Sequence, residues 1–172
     1  MWRRPPHSPP FDACGALFFR DTPCLSPVRP MPNRYTQQID EVLEAVDTMN
    51  TDELDRLPYG MIQLDASGRI LNYNAVESKL ASLRKEDAIG KQFFTEIAPC
   101  TRVQEFYGRF KEGVIREALD TSFHFHFAFK QNPRDVTVRL LYSRRSRTVW
   151  VLISDHEGKP LATTESETIT PR

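Results

Sequence analysis

Three residues of this 172-residue chain have types and spacing that could do chemistry: Cys100, Tyr73 and Glu77. Cys100 follows a proline in Ile97-Ala98-Pro99-Cys100-Thr101, between an apolar run (Phe93, Phe94, Ile97) and an aromatic segment (Phe106, Tyr107). Proline fixes its own φ and offers no amide hydrogen, so the thiol is held at a preset angle on a stiff turn. A thiol held in this way can be a core filler, a nucleophile, a metal ligand or an attachment point. Tyr73 and Glu77 lie four residues apart, a phenol and a carboxyl. Placed together in an apolar pocket they form a paired donor site for a buried oxyanion. The carboxyl must then be neutral, and desolvation, which can raise a glutamate pKa by up to ~3–5 units, favours that. The bland alternative is that Asn74-x-x-Glu77 is a capping box, whose carboxylate stays charged and only caps a helix. For Cys100 the bland alternative is a buried thiol acting as a small hydrophobe, and for Tyr73 a strand-end aromatic.

Composition narrows the classes. Apolar residues make up 40% and aromatics 10%, enough for a packed core. The 23 basic and 23 acidic residues cancel, but unevenly. Residues 1–34 carry five arginines against two aspartates, so that arm is +3 and the remainder −3. No domain-wide basic surface exists, which argues against nucleic acid as the main ligand. Three cysteines (Cys14, Cys24, Cys100) with no C-x-x-C pair and no zinc-spaced histidine argue against a disulfide framework or zinc site. A reducing, cytoplasmic setting and no metal are expected. No apolar run approaches the ~20 residues of a membrane span, so no membrane partner is expected. His124 and His126, two apart with no third ligand, read as surface residues. No Ser-His-Asp order, glycine-rich phosphate loop or paired-carboxylate motif stands out.

The elements that must position these residues follow from periodicity. Residues 1–33 hold eight of the thirteen prolines, a density that predicts an extended arm. Met31 directly precedes the first helical pattern, so residues 1–30 are weighed as an artefact of gene calling, which the intact mass of native protein would decide. Ile39, Val42, Leu43, Val46 and Met49 predict a helix over 36–49, and Asn50 with Glu53 a second short one through Leu57. Met61–Asp65 and Arg69–Tyr73 read as a hairpin turning at Ala66-Ser67-Gly68. Asn74 caps a helix from Ala75, and Arg84–Gly90 reads as turns. Phe106–Leu119 reads as one longer helix. Strands follow over 121–131, 134–143 and 148–155, the first aligning Phe123, Phe125, Phe127 and Phe129 on one face. The expected fold is α+β: a five-stranded antiparallel sheet flanked by helices, with an N-terminal helical cap. Its parts are an arm (1–33), the cap (34–57), a core domain (58–156) and a flexible tail (157–172). Such a domain can close a ligand pocket between sheet and helices.

Several motifs then match one family in order. Leu57-Pro-Tyr-Gly-Met-Ile-Gln-Leu-Asp65 and Ile70-Leu-Asn-Tyr-Asn-Ala-Val-Glu77 strongly resemble the photoactive yellow proteins, PAS-domain blue-light receptors. So do Ile89-Gly-Lys-Gln-Phe-Phe94, Ala98-Pro-Cys-Thr101 and Glu105-Phe-Tyr-Gly-Arg-Phe-Lys-Glu-Gly-Val114. The likeness runs from about Asp52 to Ile153, includes Trp150, needs no insertion or deletion, and omits residues 1–33 and the tail. It implies a non-enzymatic light sensor with p-coumaric acid bound as a thioester to Cys100. Tyr73 and Glu77 match the pair that hydrogen-bonds the phenolate. Phe93, Ala98, Pro99, Phe127 and Phe129, with Ala81, Leu83 and Gln131, match its surroundings. In the family, blue light isomerises the double bond and the phenolate takes the glutamate's proton. The uncompensated carboxylate then drives partial unfolding of the N-terminal helices. The output is expected to go to a downstream signalling protein, from a monomer or weak dimer.

The departures matter as much as the matches. Ala81 stands where the family's reference members have a threonine bonded to the tyrosine. Leu83 replaces an arginine, which removes a cation and leaves an apolar lid. Phe129 and Gln131 replace a tyrosine and a methionine, the latter linked to fast return to the dark state. A shifted band and slow recovery are the expectation. The main rival is a non-photoactive PAS-like sensor or dimerisation module with Cys100 free. A flavin sensor is disfavoured because Ala-Pro-Cys-Thr does not resemble its Asn-Cys-Arg-Phe-Leu. An enzyme with Cys100 as nucleophile lacks a neighbouring histidine in sequence.

Overall fold

The computed structural model describes residues 34–128 and 133–161. The proline-rich arm with Cys14 and Cys24, the tail from 162, and residues Phe129 and Gln131 lie outside them. Five antiparallel strands form one sheet in the order β2-β1-β5-β4-β3: β1 (Gly60–Leu64), β2 (Ile70–Tyr73), β3 (Asp120–Phe127), β4 (Arg134–Ser143) and β5 (Thr148–Ser154). Gly68, at φ +85°, turns the β1–β2 hairpin, in a region where an L side chain is strained. β5 is central and buried along its whole length. Its Val149, Val151 and Ile153 face one hydrophobic cluster, while Trp150 and Leu152 face another.

The second cluster is the seat of the N-terminal cap. Helix α1 (Arg34–Ala45), a 3-10 turn (Val46–Thr48) and α2 (Thr51–Arg56) bring Ile39, Leu43, Val46 and Leu54 onto Met61, Trp150 and Leu152. Asn50 and Glu53 close a full capping box at the start of α2. Asp47 latches the cap to the β4–β5 hairpin. It accepts hydrogen bonds from Trp150 Nε1 (2.8 Å), Ser146 Oγ (2.9 Å) and Ser143 Oγ. Arg139 of β4 holds Asp40 of α1 as well.

The other face carries the larger core, covered by α3 (Ala75–Ala81), α4 (Lys85–Ala88), α5 (Arg109–Arg116) and the turns between them. Two differences from the sequence reading lie here. Arg84–Gly90 contains the short helix α4, ended by Gly90 at φ +85°. The single helix expected over Phe106–Leu119 is instead a π-helical turn (Gln104–Gly108) followed by α5. α5 stops because Glu117 adopts the left-handed conformation, its N–H closing onto Gly113 and Val114 carbonyls, while Leu119 folds back against Gly113. Phe106 remains the hub of this core, with ring centroids 5.3–6.4 Å from Phe123, Phe125 and Phe127 and 5.8 Å from Phe93.

Candidate functional site

Asn74 determines where Glu77 can go. This buried side chain joins three elements: its Oδ1 accepts from the Met61 and Glu77 amides, and its Nδ2 donates to the Leu54 and Tyr59 carbonyls. Every hydrogen-bonding valence of the amide is thereby used. The capping-box alternative for Glu77 fails, because only half the box forms. The Asn74 amide donates to the Met61 carbonyl (3.1 Å), so the Glu77 carboxyl is not needed there and turns inward, 2% exposed.

Inside, the Glu77 carboxyl lies between a glycine and an arginine. A Cβ at Gly60 would meet Glu77 Oε2, so the glycine in β1 leaves room for the carboxyl where it lies. Arg134 Nη2 donates to Oε1 at 3.2 Å. The remaining polar atoms, Glu77 Oε2 and Arg134 Nε and Nη1, are buried without a hydrogen-bond partner among the described residues. Burial pushes Glu77 up from 4.5 to about 7, with the guanidinium pulling against it. Burial, and then the neighbouring Glu77 charge, push the Tyr73 phenol well above its ordinary value, and Arg134 again opposes. Tyr73 and Glu77 are thus electrostatic neighbours, although no hydrogen bond joins them.

Cys100 comes from a separate segment. A π-helical turn (Phe93–Ile97) runs into a 3-10 turn (Pro99–Thr101). The Ala98 amide donates to the Phe93 carbonyl (2.8 Å), and the Thr101 amide and hydroxyl both donate to the Ala98 carbonyl (2.9 and 2.6 Å). This locks the backbone around a half-buried free thiol. Tyr73, Phe93, Ala98 and Phe127 belong to one buried cluster, and Ala81, Leu83 and Cys100 pack against it. Pro99 is exposed. His124 and His126 are exposed too: His126 Nδ1 lies 2.9 Å from Asp135, and His124 stacks on His156.

Arg134 was missed in the sequence. With Leu83 in place of an arginine, the region was expected to lack a cation, yet β4 supplies one. The signal was there: Arg134 shares its parity with the inward-facing Val136, Val138 and Leu140 and pairs with Phe127 across the sheet. Gly60, whose reason is a contact across seventeen residues of chain, carried no local signal.

Comparison with known proteins agrees with this architecture. A model of the PAS fold matches residues 48–155. The chain is 39% identical over 114 residues to the photoactive yellow proteins of Halochromatium salexigens and of Rhodothalassium salexigens, covering 66% of this chain and 91% of each relative. Among solved structures it is similar to the photoactive yellow protein domain of the sensor histidine kinase Ppr from Rhodospirillum centenum. That match has 41% identity and a TM-score of 0.62, and covers 65% of this chain and 98% of that domain. No helix among the described residues is long and apolar enough to cross a membrane. With the PAS fold matched over most of its length and these relatives matched almost end to end, the chain belongs to the photoactive yellow protein family.

Proposed function

We propose that this protein is a blue-light receptor carrying p-coumaric acid as a thioester on Cys100. The observation that supports this best is the buried, incompletely bonded Glu77–Arg134 pair beside Tyr73, in the cluster against which Cys100 packs. Orphaned donors and an orphaned carboxyl oxygen at that depth fit a ligand with an ionisable oxygen. When bound, the ligand would supply the absorption and the isomerisable double bond.

The chain's own residues do the rest. Cys100 Sγ forms the thioester, losing its proton as the activating group of the acid departs. Tyr73 and Glu77 offer O–H donors to a buried oxyanion, replacing water that the site excludes. Phe93, Ala98, Phe127, Ala81 and Leu83 keep the surroundings apolar, and Phe129 and Gln131 are proposed to complete them. Glu77, poised near neutrality, is the proton donor. The cap, seated on the opposite face of the same sheet, is the element whose release would report the change. The similarity to a domain of a sensor histidine kinase supports a downstream signalling output for this domain.

Attachment is tested by intact mass. Treated with activated p-coumaric acid, wild-type protein should gain one acyl group and Cys100→Ala none. Equal labelling of the two would reject Cys100, and no labelling of either would favour the free-thiol sensor module.

A further inference from the structure

Arg134 opens β4 directly opposite Phe127, which places it on the inner face of the sheet. Its side chain is only 12% exposed, and among the described residues one of its three guanidinium nitrogens is bonded, to Glu77. A guanidinium keeps its charge at any ordinary pH and carries five donors in a fixed fork. Buried with so few of them used, it bears a desolvation cost that a second anionic oxygen would offset. Among the described residues, the titratable and charged groups that act on Glu77 are Tyr73 from β2 and Arg134 from β4, while β1 presents Gly60, which does not titrate.

We propose that Arg134 is the counter-ion of this site, holding ionised a single one of two acids: the Glu77 carboxyl and the phenol of the bound ligand. The inference rests on the ligand reading above. One fixed positive charge makes the buried site neutral when one of the two acids is ionised, and charged when both or neither is. Glu77 can therefore give its proton to the phenolate oxygen, one O–H bond breaking as the other forms, without changing the net charge. The carboxylate left behind keeps Arg134 against it. It is not the uncompensated charge expected from the sequence, and Arg134 takes over from β4 the cationic role that Leu83 cannot fill.

The first test needs no ligand. In the full chain, the Glu77 carboxyl carbon is followed by NMR through a pH titration in wild type, Arg134→Gln and Arg134→Lys. Arg134→Gln should raise the midpoint by about 1–3 pH units, and Arg134→Lys should return most of the shift. Should the Gln variant not fold, Arg134→Met, which leaves no buried N–H unpaired, carries the same expectation. An unchanged midpoint overturns the proposal. The second test uses the acylated protein at neutral pH. With acylation unchanged by mass, Arg134→Gln should move absorption from the visible to the near ultraviolet as the phenol gains a proton, and Arg134→Lys should restore it. Identical spectra for wild type and Arg134→Gln overturn the ligand half of the proposal. If wild type does not acylate, the ligand reading itself fails, and the Glu77 titration alone decides what Arg134 does.

Discussion

Glu77 is a carboxyl whose ionisation is tied to the fold. Its value in the folded chain, about 7, lies above its ordinary 4.5, so the folded state holds the proton more tightly than the unfolded state. The stability this contributes is fully present below pH 4.5 and is lost as pH rises through 7. Denaturant unfolding of the ligand-free protein should therefore show stability falling over that window by up to about 3 kcal/mol. In Glu77→Gln that slope should flatten, whatever the absolute cost of leaving Arg134 unpaired; an unchanged slope would assign the titration elsewhere. Gly60→Ala should destabilise by about 1–3 kcal/mol, because the new methyl meets Glu77 Oε2 and Ile153 Cβ, and a neutral result in denaturant unfolding would show that the carboxyl swings aside without cost. At this scale the sequence was half legible. The thiol after proline and the phenol–carboxyl spacing were readable, and the family motifs gave each a role. What could not be read locally was what the carboxyl does once buried, since both Gly60 and Arg134 reach it through the sheet.

At the scale of elements, periodicity carried most of the architecture. β4 falls over Arg134–Ser143 as its alternation predicts, and the Asn50–Glu53 capping box forms as read. The helix over 106–119 failed because its apolar spacing runs through a backbone that starts as a wider π-helical turn and then reverses at Glu117. Side-chain spacing does not encode that reversal. The 148–155 strand predicted by alternation is buried on both faces because the core covers one and the cap the other, and Trp150 and Leu152 are what the cap sits on. The cap's polar latch is Asp47. Burial would raise its pKa, but hydrogen bonds from Ser143, Trp150 and Ser146 win and hold it below the usual carboxylate value. A depressed carboxylate contributes stability above its unfolded value of 3.8 that is lost as pH falls through the folded one, so the cap should loosen in acid. Asp47→Ala should cost about 1–3 kcal/mol by leaving buried donors unmet. Hydrogen exchange should rise over residues 34–56 while β4 and β5 stay protected. Uniform exchange across the chain would mean that cap and sheet unfold as one unit.

At the scale of the whole molecule, one sheet separates two compartments. The site lies on one face and the N-terminal cap on the other, with β5 contributing alternate residues to each. A rearrangement around Glu77 therefore has a short mechanical route to the cap through strands β1 and β5, without crossing solvent. The sequence resemblance sets Gln131, outside the described residues, at the position of a family methionine linked to fast recovery; on the proposed function the acylated protein should then return slowly to its dark state, and Gln131→Met should speed the return. Flash photolysis measures both, and fast recovery in the parent chain would contradict the expectation. The central claim is tested most directly by the absorption spectrum of the acylated protein before, during and after blue light. We predict a visible band, absent from Cys100→Ala, that bleaches under illumination and returns in the dark. An acylated protein whose spectrum does not change under light would contradict the photoreceptor reading.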